Sequence, residues 1–214
     1  MQSARSSLFL AVAAAWSIGS PTSLASAQAT LDDHLSSEDH AKLARGELVT
    51  RRTSERRGPF NLIGGTSWQV IAAAPSTVWR ALHDLDEFDE MLPGASRARQ
   101  TFHRGADRGV RVQHGNGAID VSYHLRLNYI EASHVVMFRL DDRHPSAFRA
   151  GWGFIKVQSY SQGRTLVSFG ILADVGDGIV AGALRPKVHR WMLRVPRTMK
   201  QYLEGEGRER YAGR

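Results

Sequence analysis

Two hydrophobic periods, met one after the other, leave few folds open to this chain. After Asn116-Gly117, residues 118–129 alternate strictly. Ile119, Val121, Tyr123, Leu125, Leu127 and Tyr129 share one face, and Ala118, Asp120, Ser122, His124, Arg126 and Asn128 share the other. Both positions of an Asn-Gly pair tolerate positive φ, so 109–115 and 118–129 read as the arms of a hairpin with one buried and one wet face. Further on the period changes. Leu184, Val188, Trp191, Met192, Val195, Met199, Tyr202 and Leu203 recur at spacings of three and four, the stripe of a long helix. Its other side carries Lys187, Arg190, Arg194, Arg197 and Lys200. Pro186 suits the first turn, whereas Pro196 falls inside the stripe and is expected to remove one hydrogen bond and bend the helix.

The remaining segments fill in an α+β order. Ser36-Ser37-Glu38-Asp39 offers a capping box for a helix over 37–45, with Gly46 at its C-cap. Glu47 to Thr50 reads as a strand that frays into the basic run Arg51 to Arg57, which is either a phosphate-binding patch or a solvated hairpin edge. Ser67 to Ala73 is a second strand piece. Pro75 then opens an amphipathic helix through Val78, Trp79 and Leu82, and a second short helix from Asp84 to Met91 closes at Leu92-Pro93-Gly94. Strands are expected near 134–141, 151–160 and 164–174. In the last of these, Val167, Phe169, Ile171 and Ala173 share a face; in the first two both faces are apolar, so Phe138, Trp152 and Phe154 can point either way. The expectation is a curved antiparallel sheet of six to seven strands, two short helices after the first strand, and one long C-terminal helix covering the concave face. That domain spans 30–204, and the Gly-rich stretch 205–214 is expected to be disordered.

Composition narrows the chemistry. With no Cys, the chain has no thiolate nucleophile, zinc–thiolate site, iron–sulfur cluster or disulfide. A content of 42% hydrophobic and 23% charged residues excludes a disordered chain, and no apolar run reaches the roughly 18 residues of a membrane-spanning helix. Residues 1–29 read as an export signal: Arg5, an apolar stretch from Leu8 to Ile18, Pro21, and small residues ending Ala27-Gln28-Ala29. An uncleaved anchor is the alternative. The expected location is periplasmic or extracellular, and removal of the signal leaves 27 basic and 21 acidic side chains. This basic balance suits peripheral contact with an anionic membrane. Scattered basic residues and the absence of zinc-finger or RNA-motif signatures argue against a nucleic-acid partner.

The order of elements resembles the START-like, Bet v 1-like (SRPBCC) helix-grip superfamily of the polyketide cyclase/dehydrase and coenzyme-Q-binding type. The residues that carry the resemblance are Leu35-Ser36-Ser37-Glu38 with Leu43 to Val49, Ala73-Ala74-Pro75-Ser76-Thr77-Val78-Trp79 with Leu82, Asp84 and Leu92-Pro93-Gly94, and the helix after Leu184-Arg185-Pro186. Leu92-Pro93-Gly94 after Asp84 is also similar to accessory proteins of carbon monoxide dehydrogenase, which points toward a quinone. The resemblance implies an elongated cavity between sheet and terminal helix that holds a lipid, quinone, sterol or polyketide. Its expected lining is Tyr123, Leu125, Leu127, Phe169, Ile171, Val188, Trp191, Met192, Val195 and Met199. From the residues alone, a dry, filled core stays open.

Catalytic signatures are scarce. Five of the nine His (His103, His114, His124, His134 and His144) recur at intervals of about ten, yet no metal-binding spacing, nucleophile elbow, phosphate loop or dinucleotide fingerprint is present. No metal and no cofactor are expected. Arg111, His114 and Tyr123, with Trp152, are the weak candidates for acid–base work. The chain therefore reads as an exported, noncatalytic and monomeric binding or transfer protein for a hydrophobic small molecule. The alternative is a cyclase/aromatase-type enzyme that uses polar cavity residues. Lys187, Arg190, Arg194 and Arg197, together with Arg51, Arg52, Arg56 and Arg57, either dock on acidic headgroups or form a solvated face.

Overall fold

The computed structural model describes residues 35–115, 120–176 and 185–211; the segment expected to act as an export signal and the expected turn at Asn116-Gly117 lie outside them. The chain divides into two units, Met1–Ala41 and Lys42–Arg214, and the sheet and the site belong to the second. Helix α1 (Ser37–Ala44) starts on its capping box: Asp39 N–H donates to Ser36 Oγ at 3.1 Å and Ser36 N–H to Asp39 Oδ2 at 3.0 Å. It ends in a Schellman turn. Gly46 takes φ +78°, its N–H bonds Leu43 O at 2.9 Å, and Glu47 N–H reaches back to Lys42 O at 3.0 Å.

Eight strands form one antiparallel sheet: β1 (Val49–Arg57), β2 (Phe60–Ile71), β3 (Arg97–Arg104), β4 (Asp107–Gly115), β5 (Asp120–Ile130), β6 (Val135–Leu140), β7 (Ala150–Ser159) and β8 (Thr165–Asp174). Their order is β1-β2-β8-β7-β6-β5-β4-β3, so β8 returns to lie between β2 and β7. The count exceeds the expected six to seven for two reasons. The basic run does not fray but pairs with β2 from Val49↔Trp68 to Arg57↔Phe60. Its guanidinium groups find aromatic faces, Arg51 over Trp68 at 5.3 Å and Arg57 over Trp152 at 5.6 Å. Strand β3 carries only Ala98 and Phe102 as apolar residues, too few to announce a strand, and gains its pairing from β4 across the Gly105 turn.

The two short helices, α2 (Pro75–His83) and α3 (Phe88–Met91), follow β2, not the first strand. Between β1 and β8, β2 passes through Gly64 and Gly65 at φ +157° and +138°. A Cβ there would fall 1.8 Å from Ile171 O or 2.0 Å from Arg51 O, so only glycine allows this backbone.

The expected single C-terminal helix is broken. Helix α4 (Arg185–Met192) stops, residues 193–194 form a turn with Arg194 N–H on Trp191 O at 3.0 Å, and α5 (Val195–Glu204) restarts with Pro196 in its first turn. A continuous helix would set the Pro196 ring against the carbonyl four residues back and lose that hydrogen bond, so the chain begins a new helix where proline is tolerated. Nor does order end at Gly205. Helix α6 (Gly207–Tyr211) buries the Tyr211 ring, whose hydroxyl donates to Asp84 Oδ2 at 3.0 Å, while Arg210 pairs with Glu87 at 2.9 Å. The core lies between the concave sheet face and α2, α3 and α5: Val78, Leu82 and Phe88 pack with Val110, Val112, Val136 and Val167 against Met199 and Leu203. Among the described residues no helix is long and apolar enough to cross a membrane.

Candidate functional site

Beyond the filled core, the concave face leaves a cavity of about 90 Å³. Alternation aims the lining inward. On β5 the odd residues Tyr123, Leu125 and Leu127 face it, and His114 joins them from β4. Phe138 and Leu140 come from β6, Ile155 from β7, and Phe169, Ile171 and Ala173 from β8. Trp191, Met192 and Val195 close it from α4 and α5, while Phe88, Leu92, Pro93 and Phe148 border it from the connections. Of these side chains only those of His114, Tyr123 and Trp191 carry a nitrogen or oxygen, so the space is apolar with one polar corner.

Eight of the ten residues expected to line a cavity do so: Tyr123, Leu125, Leu127, Phe169, Ile171, Trp191, Met192 and Val195. The other two do not. Val188 packs against the small cluster of Ile63, Ala173, Val175 and Met192, and Met199, 1% exposed, belongs to the filled core. The stripe is continuous in sequence but the space beside it is not. Sequence reasoning left Phe138 open and missed Ile155 and Phe148. The first two lie on strands with two apolar faces, resolved by register: Phe138 pairs Gly153, so Phe138, Gly151 and Ile155 point in, while Trp152 and Phe154 point out. Phe148 sits in a loop with no period to betray it.

The polar corner is a pair. His114 Nε2 and Tyr123 OH are 2.9 Å apart, and the rings stack with centroids 5.5 Å apart. Trp191 meets the imidazole edge-on at 5.0 Å, and Phe148 meets the phenol at 5.1 Å. Burial holds the His114 pKa below its usual value, partly offset by the backbone of Gly94 and Pro93, and burial pushes the Tyr123 phenol up. Both groups are therefore neutral near pH 7. Nε2 and the phenol share one hydrogen bond, and the other ring nitrogen, Nδ1, is a buried atom outside hydrogen-bonding geometry in the vicinity of the Pro93–Gly94 backbone. Such a pair can orient a carbonyl or hydroxyl of an otherwise apolar molecule, or relay a proton to one.

Arg111 does not belong to this corner. It pairs with His124 and Arg99 across the sheet, between Val110 and Val112 that face the core, and so lies on the opposite face, as does Trp152. His124, on that face, stacks on His144 with centroids 4.1 Å apart. Of the basic residues, Arg190, Arg194 and Arg197 line a second, open cleft with Arg52 and Lys200, whereas Lys187 lies outside it.

No family model matches the chain, and no curated protein sequence is similar to it. Solved structures are similar. A Thermus thermophilus protein, TTHA0849, superposes with a TM-score of 0.59 at 17% identity, over 69% of this chain and 98% of its own. The ZhuI aromatase/cyclase of Streptomyces sp. R1128 gives 0.53 at 20% identity, over 71% and 98%. A STAR-related lipid transfer protein of Xanthomonas axonopodis gives 0.55 at 10% identity, over 72% and 98%. At such identities the likeness speaks for the backbone alone, and that backbone is the START-like, Bet v 1-like helix-grip fold.

Proposed function

We propose that this protein binds a hydrophobic small molecule between its sheet and its C-terminal helices, and that it works as a noncatalytic carrier outside the cytoplasm. The observation that carries the reading is the cavity itself, a gap lined by apolar side chains around one neutral His–Tyr pair. The similarity in backbone to a lipid transfer protein and to aromatase/cyclases supports a ligand of lipid, quinone or polyketide character. Export rests on residues 1–29 alone.

The mechanism follows from size. A cavity of about 90 Å³ is smaller than the roughly 300–1,000 Å³ of ligand sites. Cargo therefore enters by displacing side chains, and the turn at 193–194 between α4 and α5 is the hinge on which Trp191 and Met192 move outward. Each CH₂ removed from water contributes about 0.8 kcal/mol, so a tail of about eight CH₂ groups gains about 6 kcal/mol against the cost of opening. The His114–Tyr123 pair then selects a cargo with one hydrogen-bonding group at its buried end.

Native mass spectrometry of the exported protein, followed by solvent extraction, tests this. One lipid- or quinone-sized molecule per chain is expected, lost when Leu125→Trp fills the cavity; an apo mass that persists after incubation with mixed lipid vesicles would overturn it. The same pair favours a second reading, a cyclase/aromatase-type enzyme in which Tyr123 donates a proton and His114 accepts one. Turnover of a poly-β-ketone substrate, abolished by Tyr123→Phe, would replace the carrier reading with this one.

A further inference from the structure

The outer side of the same helices holds a second site of opposite character. Between β1 and the α4–α5 segment lies an open cleft of about 660 Å³ lined by Arg52, Arg190, Arg194, Arg197 and Lys200. Glu47, the acidic residue in its wall, is engaged by Arg45 at 2.6 Å, and Lys200 is held by Glu204. The four arginines have no carboxylate within ion-pair distance among the described residues. Leu193, 1% exposed, lies among the lining residues, and Gln69 fixes the rim by donating to Gly46 O at 2.8 Å.

This arrangement differs from a solvated basic face in two ways. Charges that serve solubility are interspersed in sign and stand on convex surface, whereas here one sign converges on a concavity. Arg194 and Arg197 are three apart at the start of α5, and with Arg190 from α4 and Arg52 from β1 they line one cleft, so like charges repel across it. A fold that keeps four unpaired guanidinium groups around one cleft has a ready counter-ion in phosphate, whose oxygens match the planar guanidinium fork.

We propose that this cleft binds the phosphate of an anionic lipid headgroup and thereby seats the protein on an acidic membrane surface. The source of the phosphate is argued from the segment that bears the charges. Arg190 is followed by Trp191 and Arg194 by Val195, so consecutive residues face the basic cleft and the apolar cavity. An amphiphile is the ligand whose two halves answer both sides of one helical segment. The site stands whether or not the cavity takes cargo, because vesicle binding is read on empty protein.

The test is sedimentation with phosphatidylglycerol vesicles and with phosphatidylcholine vesicles at low and high salt. Wild type is expected to bind the anionic vesicles at least tenfold more tightly, with affinity falling as salt rises. Arg190→Gln/Arg194→Gln/Arg197→Gln is expected to lose that preference. Arg97→Gln/Arg99→Gln/Arg104→Gln, the same charge change on β3, is expected to lose less than twofold. Should the cleft triple fail to fold, Arg194→Gln alone, together with hydrogen-exchange protection of residues 190–200 by the vesicles in wild type, gives the same reading. Equal losses from the two triples, or salt-insensitive binding, would overturn the site. Glycerol phosphate binding as tightly as vesicles would assign it to a soluble ester instead, and tighter binding of an oligonucleotide through the same arginines would assign it to nucleic acid; either overturns the membrane reading.

Discussion

The two ends of the C-terminal apolar stripe meet one sheet with opposite results. At the α5 end Met199 and Leu203 are buried among Val78, Leu82, Val167 and Phe169, and α6 adds Tyr211. At the α4 end Trp191, Met192 and Val195 border open space. The stripe does not differ between the ends; what faces it does. Around the cavity β7 and β8 present Ala150, Gly151 and Ala173, whereas around the core the short helices add large side chains. Free space here is thus set by small residues on the sheet, and the helix alone does not reveal it.

Two methionines one heptad apart make that comparison quantitative. Met199→Ala removes a side chain that is 1% exposed and packed on all sides, and is expected to destabilise by about 3–5 kcal/mol. Met192→Ala removes one that already borders a gap, loses fewer contacts, and is expected to destabilise by about 1–2 kcal/mol. Urea unfolding of both variants decides it. Equal losses would mean that the cavity end is packed as tightly as the core.

Much of this was legible in the sequence, and the failures share a cause. Strict alternation placed Tyr123, Leu125 and Leu127 on the concave face, and spacing by three and four placed Trp191, Met192 and Val195 opposite them. Both signals report a single element facing a single side. Where an element has two apolar faces, as β6 and β7 do, periodicity is silent and register decides; Phe138 and Ile155 were legible only once Phe138↔Gly153 was known. Long-range polar contacts are silent too. The stretch from Gly205 reads as a tail, yet Asp84 and Glu87, more than 110 residues earlier, hold Tyr211 and Arg210 in place. Arg51 and Arg57 read as part of a phosphate-binding patch or a solvated edge, because a cation over an indole leaves no pattern in its own segment.

Overpacking sharpens the same contrast at smaller magnitude. Leu125→Phe adds volume toward free space and is expected to change stability by less than about 1 kcal/mol. Val167→Phe adds the same kind of bulk where exposure is 0%, and is expected to destabilise by about 1–3 kcal/mol. Thermal melts of the two variants separate the ends without reference to any ligand. A melt lowered as far by Leu125→Phe as by Val167→Phe would show that the gap closes around its lining.

The smallest effect is electrostatic and confined to the cavity end. Burial depresses the His114 pKa in the folded chain, so below the unfolded value near 6.5 the unfolded state binds a proton that the folded state declines. Stability attached to His114 is therefore fully present above that value and is lost as pH falls through it toward the folded pKa. The loss cannot exceed about 1.4 kcal/mol per pH unit, and partial exposure makes it smaller. His124 acts with the same sign, through burial and then through His144 and Arg111, so wild type carries at least two such contributions. His114→Phe keeps the aromatic contact with Trp191 but removes the titrating ring. Denaturant stability at pH 7.5 and 5.5 is expected to fall less with acid in that variant than in wild type, even though the Tyr123 hydroxyl has lost its partner at both values. An unchanged slope would place the ring in water, and with it the polar corner of the cavity.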